Sequence, residues 1–186
     1  MQADAVAVAP VMVPAGALPD LAAIYRQHFT YVWHALRRMG VNNADLEDLT
    51  QEVFVVVHRR LHTYDATRPL KPWLLGILFR VASDWRRRAF QYRETRPGDV
   101  DATDGAASPE QNAADAQNRA LIMRALDALD FDRRAVLVMH EFHDHPIPDI
   151  AAALGIPVNT AYSRLRLARA QLFETLKKLT RPTEAP

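Results

Sequence analysis

Residues 147–165 run Ile147-Pro148-Asp149-Ile150-Ala151-Ala152-Ala153-Leu154-Gly155-Ile156-Pro157-Val158-Asn159-Thr160-Ala161-Tyr162-Ser163-Arg164-Leu165. Ile150, Ala151 and Leu154 fall on one side of a short helix, and Gly155 can take the positive φ of a tight turn. Ile156 plugs the angle, Pro157 prevents the first helix from continuing, and Asn159 or a neighbour caps the second. In that second helix Leu165 and Ala168 face the partner, alternating with polar and basic residues. This is the layout of a helix-turn-helix, whose second helix lies in the major groove with its amino-terminal side chains at base edges. Arg, Ser, Thr and Asn contact phosphates and bases. The candidate duplex-reading residues are therefore Asn159, Thr160, Tyr162, Ser163, Arg164, Arg166 and Arg169. The bland alternative is a helical hairpin with a basic outer face.

Working outward, the rest of the chain also reads as helix. Leu21, Ile24, Tyr25, Phe29 and Val32 recur at helical spacing and continue to a stop at Gly40. Asn42-Asn43 offers an N-cap, followed by Asp45, Glu47 and Asp48 where the helix dipole favours acids. Leu46, Leu49, Val53, Val57 and Leu61 form one face of this second helix. After a loop from Tyr64 to Lys71, Pro72 suits the opening turn of a third helix through Trp73, Ile77, Val81 and Trp85. Residues from Pro97 to about Glu110 hold Gly, Pro, Ser and Asp with almost no large apolar residue, which predicts a mobile linker. Helix resumes near Ala113. No strand pattern or internal repeat occurs, so the expected fold class is all-α, two small helical domains joined by a flexible acidic linker.

The 186 residues are 49% hydrophobic and 24% charged, enough apolar material for packed cores. There is no cysteine, which excludes disulfides, thiolate metal sites and a cysteine nucleophile. Residues 1–19 are Ala/Val/Pro-rich but lack a basic n-region and are broken by Pro10, Pro14 and Pro19. They read as a disordered tail rather than an export signal. With no run near the ~20 residues that span a bilayer, the expectation is a cytoplasmic protein without membrane insertion. Charge is balanced overall, 23 Lys+Arg against 22 Asp+Glu, but patterned. Arg68 to Arg96 carries a local +6, Asn159 to Arg181 a local +5, and Pro97 to Asn118 five acids and no base. Two basic patches around an acidic spacer suggest a polyanion gripped at two places.

In the second helix Asp48, Gln51, Glu52, Val55 and Arg59 form a stripe opposite the apolar face. The string Asp45-Leu46-Glu47-Asp48-Leu49-Thr50-Gln51-Glu52-Val53-Phe54 resembles region 2 of the extracytoplasmic-function (ECF) sigma factors, the smallest sigma subunits of bacterial RNA polymerase. The likeness extends to Arg68-Pro69-Leu70-Lys71-Pro72-Trp73-Leu74-Leu75-Gly76-Ile77 and to Val81-Ala82-Ser83-Asp84-Trp85-Arg86-Arg87-Arg88. It resumes in region 4 at Asp149–Pro157 and Asn159–Leu165, so it covers about 18–90 and 115–180 in the family's order. On that basis 20–96 is expected to be region 2, 97–112 the linker and 113–180 region 4.

The resemblance implies that Asp48, Gln51, Glu52 and Phe54 dock on the clamp helices of the polymerase largest subunit, Phe54 fitting either that role or the core. It implies that the loop Tyr64–Lys71 and the third helix handle the −10 element. There bases leave the stack and a single strand is held on cations and aromatics. The candidates are Arg68, Lys71, Arg80, Arg87 and Arg88, with Trp73 and Trp85, although Trp73 also keeps core spacing with Ile77. Region 4 is implied to read the −35 element beside the polymerase flap region. An anti-sigma factor is an implied partner, and no cofactor is implied. Where many members read Ala-Arg-Asn before the Val-Ala pair, this chain has Leu78-Phe79-Arg80.

Two rivals use fewer residues. A stand-alone helix-turn-helix regulator of duplex DNA accounts for the carboxy-terminal half but not for the Asp48/Gln51/Glu52 stripe. An enzyme reading rests on His140-Glu141-Phe142-His143-Asp144-His145 as metal ligands, yet this is not the HExxH pattern and falls on the connector the helix-turn-helix needs. With no phosphate loop and no Gly-x-Ser-x-Gly elbow, the expectation is no catalytic residue, no metal and no enzyme.

Overall fold

The computed structural model describes residues 20–95 and 113–180. The expected tail and the expected acidic linker lie outside those residues. Among the described residues there are seven α-helices and no strand. The first three are α1 (Leu21–Arg38), α2 (Asn43–Arg60) and α3 (Leu70–Thr95), with a single 3-10 turn at Leu61–Thr63. Each boundary has a local cause. The Asp20 carboxylate accepts the Ala22 N–H at the start of α1. Gly40, at φ 99°, lets the Val41 N–H turn back to the Leu36 carbonyl at 3.2 Å and close it. Asn42 caps α2 by accepting the Asp45 N–H at 2.8 Å. Val32, Leu36, Leu46, Val53, Leu74 and Leu78 form the centre of this unit, all fully buried.

The second unit is α4 (Ala113–Asp127), α5 (Phe131–Glu141), α6 (Ile147–Leu154) and α7 (Val158–Thr180). Asp130 caps α5 through the Arg133 N–H. Between α6 and α7 Gly155 is left-handed, φ 67°, so the Ile156 N–H reaches the Ala151 carbonyl at 3.0 Å. The helix-turn-helix thus forms where the sequence predicts it. The cap, expected at Asn159 or a neighbour, falls two residues before Asn159: the Pro157 carbonyl accepts the Ala161 N–H at 3.1 Å, and Asn159 lies one residue inside α7 with its side chain in solvent. A proline that ends α6 also supplies the first acceptor of α7, which leaves Asn159 free to face outward. Ala161, Leu165 and Ala168 are buried against the rest of the unit.

The two units are packed together. Helix α6 lies on α3, where Gly76 admits Ala153; a Cβ on Gly76 would stand 3.9 Å from that of Ala153. Phe79 of α3 stacks on Phe131 of α5, ring centroids 5.6 Å apart. Buried side chains of both units form one continuous cluster. No helix among the described residues is long and apolar enough to cross a membrane.

Candidate interaction surfaces

Three surfaces carry the residues singled out above. On α2, Asp48 and Gln51 are exposed, and Val55, 46% exposed, continues the row. Glu52 is half-buried and paired with Arg88 of α3 at 3.2 Å, so one expected polymerase residue is tied to one expected DNA residue. Phe54 is core, 6% exposed, its ring 4.7 Å from that of Tyr25. The burial follows from spacing, since Phe54 sits one residue beyond Val53 on the side that faces α1. Sequence reasoning missed what lies beside this row. Tyr25, Phe29 and Trp33 run up α1 as a ladder and line a shallow groove with Thr30, His34, Glu47 and Gln51. Their i, i+4, i+8 spacing was the available signal; Tyr25 and Phe29 were noted only as marks of a helix, and Tyr25 is 42% exposed.

The second surface combines the loop before α3 with its outer face. Asp65 folds the loop by accepting the Thr67 N–H and hydroxyl at 3.0 and 2.6 Å, and these bonds hold its carboxyl below the ordinary range. The Tyr64 hydroxyl donates to the Arg68 carbonyl, and its ring lies 5.2 Å from Trp73. Trp73 is half-buried with one aromatic neighbour already in place. Arg68 is 81% exposed beside Asp65, Arg87 pairs with Asp84, and Arg80 is exposed. Trp85 is differently used: its indole N–H donates to Asp45 at 2.7 Å and pins α3 to α2. Lys71 is exposed but stands near enough to His28, His143 and His145 to depress their basicity, which puts it at the edge of the second unit.

The third surface is α7. Asn159, Tyr162, Ser163, Arg166 and Arg169 are exposed, and Thr160 is half-buried. Arg164 turns inward to Asp132 at the start of α5, 2.7 Å away, with 26% of its side chain exposed. Arg169 is held by Glu141, its Nε donating at 2.7 Å. The structure therefore brings Asn159, Tyr162, Ser163 and Arg166 to one outer face and places Arg164 toward α5. Their partners Asp132 and Glu141 sit 32 and 28 residues upstream, beyond any local pattern.

Two rings of the histidine run, His140 and His145, have hydrogen-bond partners within the protein. His140 shares a hydrogen bond with the His145 carbonyl, and His145 with the Tyr31 hydroxyl of α1 at 2.8 Å. Among the described residues no three His, Asp or Glu are grouped to hold an ion.

Comparison with known proteins places these surfaces in context. Residues 24–90 match the family model for sigma-70 region 2, and residues 119–172 that for sigma-70 region 4. The chain is 31% identical to the ECF RNA polymerase sigma factor SigL of Mycobacterium tuberculosis, over 86% of this chain and 90% of that protein. It is 33% identical to the ECF RNA polymerase sigma factor SigE of Mycolicibacterium smegmatis, covering 87% of this chain but 63% of that longer protein. In three dimensions it is similar to the Bartonella quintana sigma factor RpoE solved with the anti-sigma factor NepR, with a TM-score of 0.72 over 87% of this chain and 99% of that one. At 20% identity, this last likeness is one of fold.

Proposed function

Because the chain belongs to the ECF subfamily of bacterial RNA polymerase sigma factors, we propose that its three surfaces divide the work of transcription initiation. The α2 row of Asp48, Gln51 and Val55, with the aromatic groove of α1 beside it, docks on the clamp helices of the polymerase largest subunit. Carboxylate and amide groups there form charge-assisted hydrogen bonds with basic and polar partners, and the aromatic rings supply apolar area. Asp48 and Gln51 make the direct contacts; Glu52 contributes through its pair with Arg88.

Promoter DNA then meets the other two surfaces. Trp73 with Tyr64 offers a flat apolar face to a base that has left the stack, and Arg68, Arg80 and Arg87 hold its backbone. Asn159, Tyr162, Ser163 and Arg166 read the −35 duplex in the major groove. Residues 20–96 are thus the polymerase and −10 unit, 97–112 the connector and 113–180 the −35 unit. Bond formation belongs to the polymerase; the chain supplies recognition and strand capture and no catalytic group. That role places it in the cytoplasm with the polymerase and the chromosome. An anti-sigma protein, of the kind bound to the B. quintana relative, is the natural antagonist.

One observation carries this reading. The exposed Asp48/Gln51/Val55 row of α2 and the outward Asn159/Tyr162/Ser163/Arg166 face of α7 occur in one chain, and a duplex-binding regulator has no use for the first. Run-off transcription with bacterial core polymerase, with and without the chain, on its own upstream region and a promoter pool, tests it. Specific starts that require both components are expected. Absence of core binding with a cognate polymerase would overturn the reading in favour of the stand-alone regulator.

A further inference from the structure

The seam between the two units contains more ionisable groups than packing requires. On one side α1 presents His28, Tyr31, His34 and Arg38, and the first turn of α3 presents Lys71. On the other, the loop joining α5 to α6 presents His143, Asp144 and His145, and α6 follows with Asp149. The Tyr31 hydroxyl bonds His145 Nε2 at 2.8 Å, and the His143 ring meets the Tyr31 ring edge-on at 4.9 Å. His143 Nε2 is buried with no hydrogen-bond partner. Nearby, the Arg134 guanidinium of α5 bonds the Arg38 carbonyl and fills the space above Gly40, and the Arg38 guanidinium lies over Phe142 at 5.0 Å.

This closed arrangement cannot serve a promoter, given the reading of the two DNA surfaces proposed above. Elements centred near −35 and −10 lie about 25 base pairs apart, roughly 85 Å along the duplex at 3.4 Å per pair. Helix α6 touches α3, and the 23 residues of α7 extend about 34 Å from a turn beside it. The outer face of α7 is therefore held within about half the required distance of α3. The units must separate, and the stretch 96–112 is long enough to let them, since its 17 residues reach about 60 Å when extended.

We propose that the seam of Tyr31, His143 and His145 is a proton-sensitive latch, closed while the imidazoles are neutral and released when His143 takes up a proton. A protonated His143 would carry a second N–H into a place with no acceptor for it. It would also bring a positive charge among Arg38, Lys71, His34 and His145. Burial, then Arg38, His145, His34 and Lys71, lower the His143 pKa from 6.5 to about 4 in the closed form. Burial and Lys71 lower that of His145 as well, with Asp149 and Asp144 pulling the other way. The sign follows from linkage: closure is unpenalised above pH 6.5 and is progressively lost as pH falls toward about 4. For His143 alone, the closed-to-open ratio falls about tenfold between about pH 7.5 and about pH 5.5.

Small-angle scattering of the purified full-length chain at those two pH values, with circular dichroism on the same samples, tests this without polymerase or DNA. The expected result is a larger radius of gyration at the lower pH with helix content unchanged. In His143→Phe, which keeps the edge-on ring contact and cannot titrate at that position, the response should be greatly reduced, with only the share of His145 left. His143→Gln serves should the first variant misfold. A cysteine pair, Gly76→Cys with Ala153→Cys, should hold the oxidised chain compact at both pH values. The latch is overturned by a radius that does not change with pH, by expansion of undiminished size in the His143 variants, or by expansion that accompanies loss of helix. Expansion in a chain that nonetheless fails to bind core polymerase would sustain the latch and sink only the sigma-factor reading.

Discussion

The first unit holds all three tryptophans of the chain, Trp33, Trp73 and Trp85, and the second holds none. The outer face of α7 carries Asn159, Tyr162, Ser163 and Arg166 instead. Under the division of work proposed above, the difference follows from the state of the DNA each unit meets. A base out of the stack has two bare faces, and a flat apolar ring such as Trp73 on Tyr64 is its best replacement neighbour. A base still in the duplex shows only its edge, which donors and acceptors read. Arg68 and Arg87 are aimed by acids three residues away on exposed chain, whereas Arg164 and Arg169 are aimed by acids of another helix. Arg88 of the first unit is also paired across helices, with Glu52 of α2.

The largest expected effect comes from preventing the two units from acting apart. The Cβ positions of residues 76 and 153 lie 3.9 Å apart, within the usual range for a disulfide, and the native chain has no cysteine to interfere. Oxidised Gly76→Cys/Ala153→Cys should lose promoter-directed run-off, and reduction should restore it. Full activity of the oxidised form would show that both elements can be served with the seam closed. Next is Trp73→Ala, which removes the stacking face. Strand opening at −10, read by permanganate reactivity of unpaired thymines, should fall roughly tenfold to a hundredfold, for a loss of about 1–3 kcal/mol per stacked base. Core binding and −35 duplex binding should be unchanged. If all three fall together, Trp73 is a core residue and the division between the units is drawn in the wrong place.

Smaller again is Arg166→Ala. With no ion pair shown for Arg166 among the described residues, its charge is available to a phosphate. The slope of log affinity for −35 duplex against log salt should flatten by about one. An unaltered slope would remove Arg166 from the backbone contacts and leave α7 reading by Asn159, Tyr162 and Ser163.

The parts of this architecture that spacing encodes were legible in the sequence. The Gly155 turn, the Asn42 cap, the Pro72 opening and the buried faces of α2 and α7 all depend on residues within a few positions of one another. What remained hidden depends on which face meets which. Phe79 and Phe131, Gly76 and Ala153, and Tyr31 and His145 are pairings between distant segments, and periodicity marks each as apolar or polar without naming its partner. The cap of α7 was expected at Asn159 or a neighbour, and the helix begins at Val158, which leaves Pro157 before its first turn and Asn159 inside it. Phe54 stayed open between core and interface until Tyr25 was seen against it. The aromatic ladder of α1 was visible only as part of a helical spacing, because only packing reveals how much of a half-covered face is left outside.

Arg164 provides the smallest and most discriminating prediction. Sequence grouped it with Arg166 as a DNA contact, and both lie in the first half of α7. The structure separates them: Arg164 spans to Asp132 at 2.7 Å, and the Asp132 carboxylate sits in the first turn of α5, where the helix dipole also favours it. An arginine so placed ties α7 to α5 and fixes the angle at which the recognition face is presented. The pair is part-exposed, so its worth to stability is under about 1 kcal/mol. Arg164→Ala and Asp132→Asn should therefore each lower the midpoint of thermal unfolding by only a few degrees. Asp132→Asn keeps an acceptor for Arg164 but loses the ion pair and the favourable charge at the start of α5, so neither change should exceed that range. Neither should flatten the salt slope as Arg166→Ala does. A slope that flattens by about one in Arg164→Ala, while Asp132→Asn leaves it intact, would mean that Arg164 exchanges Asp132 for a phosphate on binding. The acid of α5 would then be a placeholder for DNA rather than a strut, and the rigid aim assigned to α7 would have to be given up for that residue.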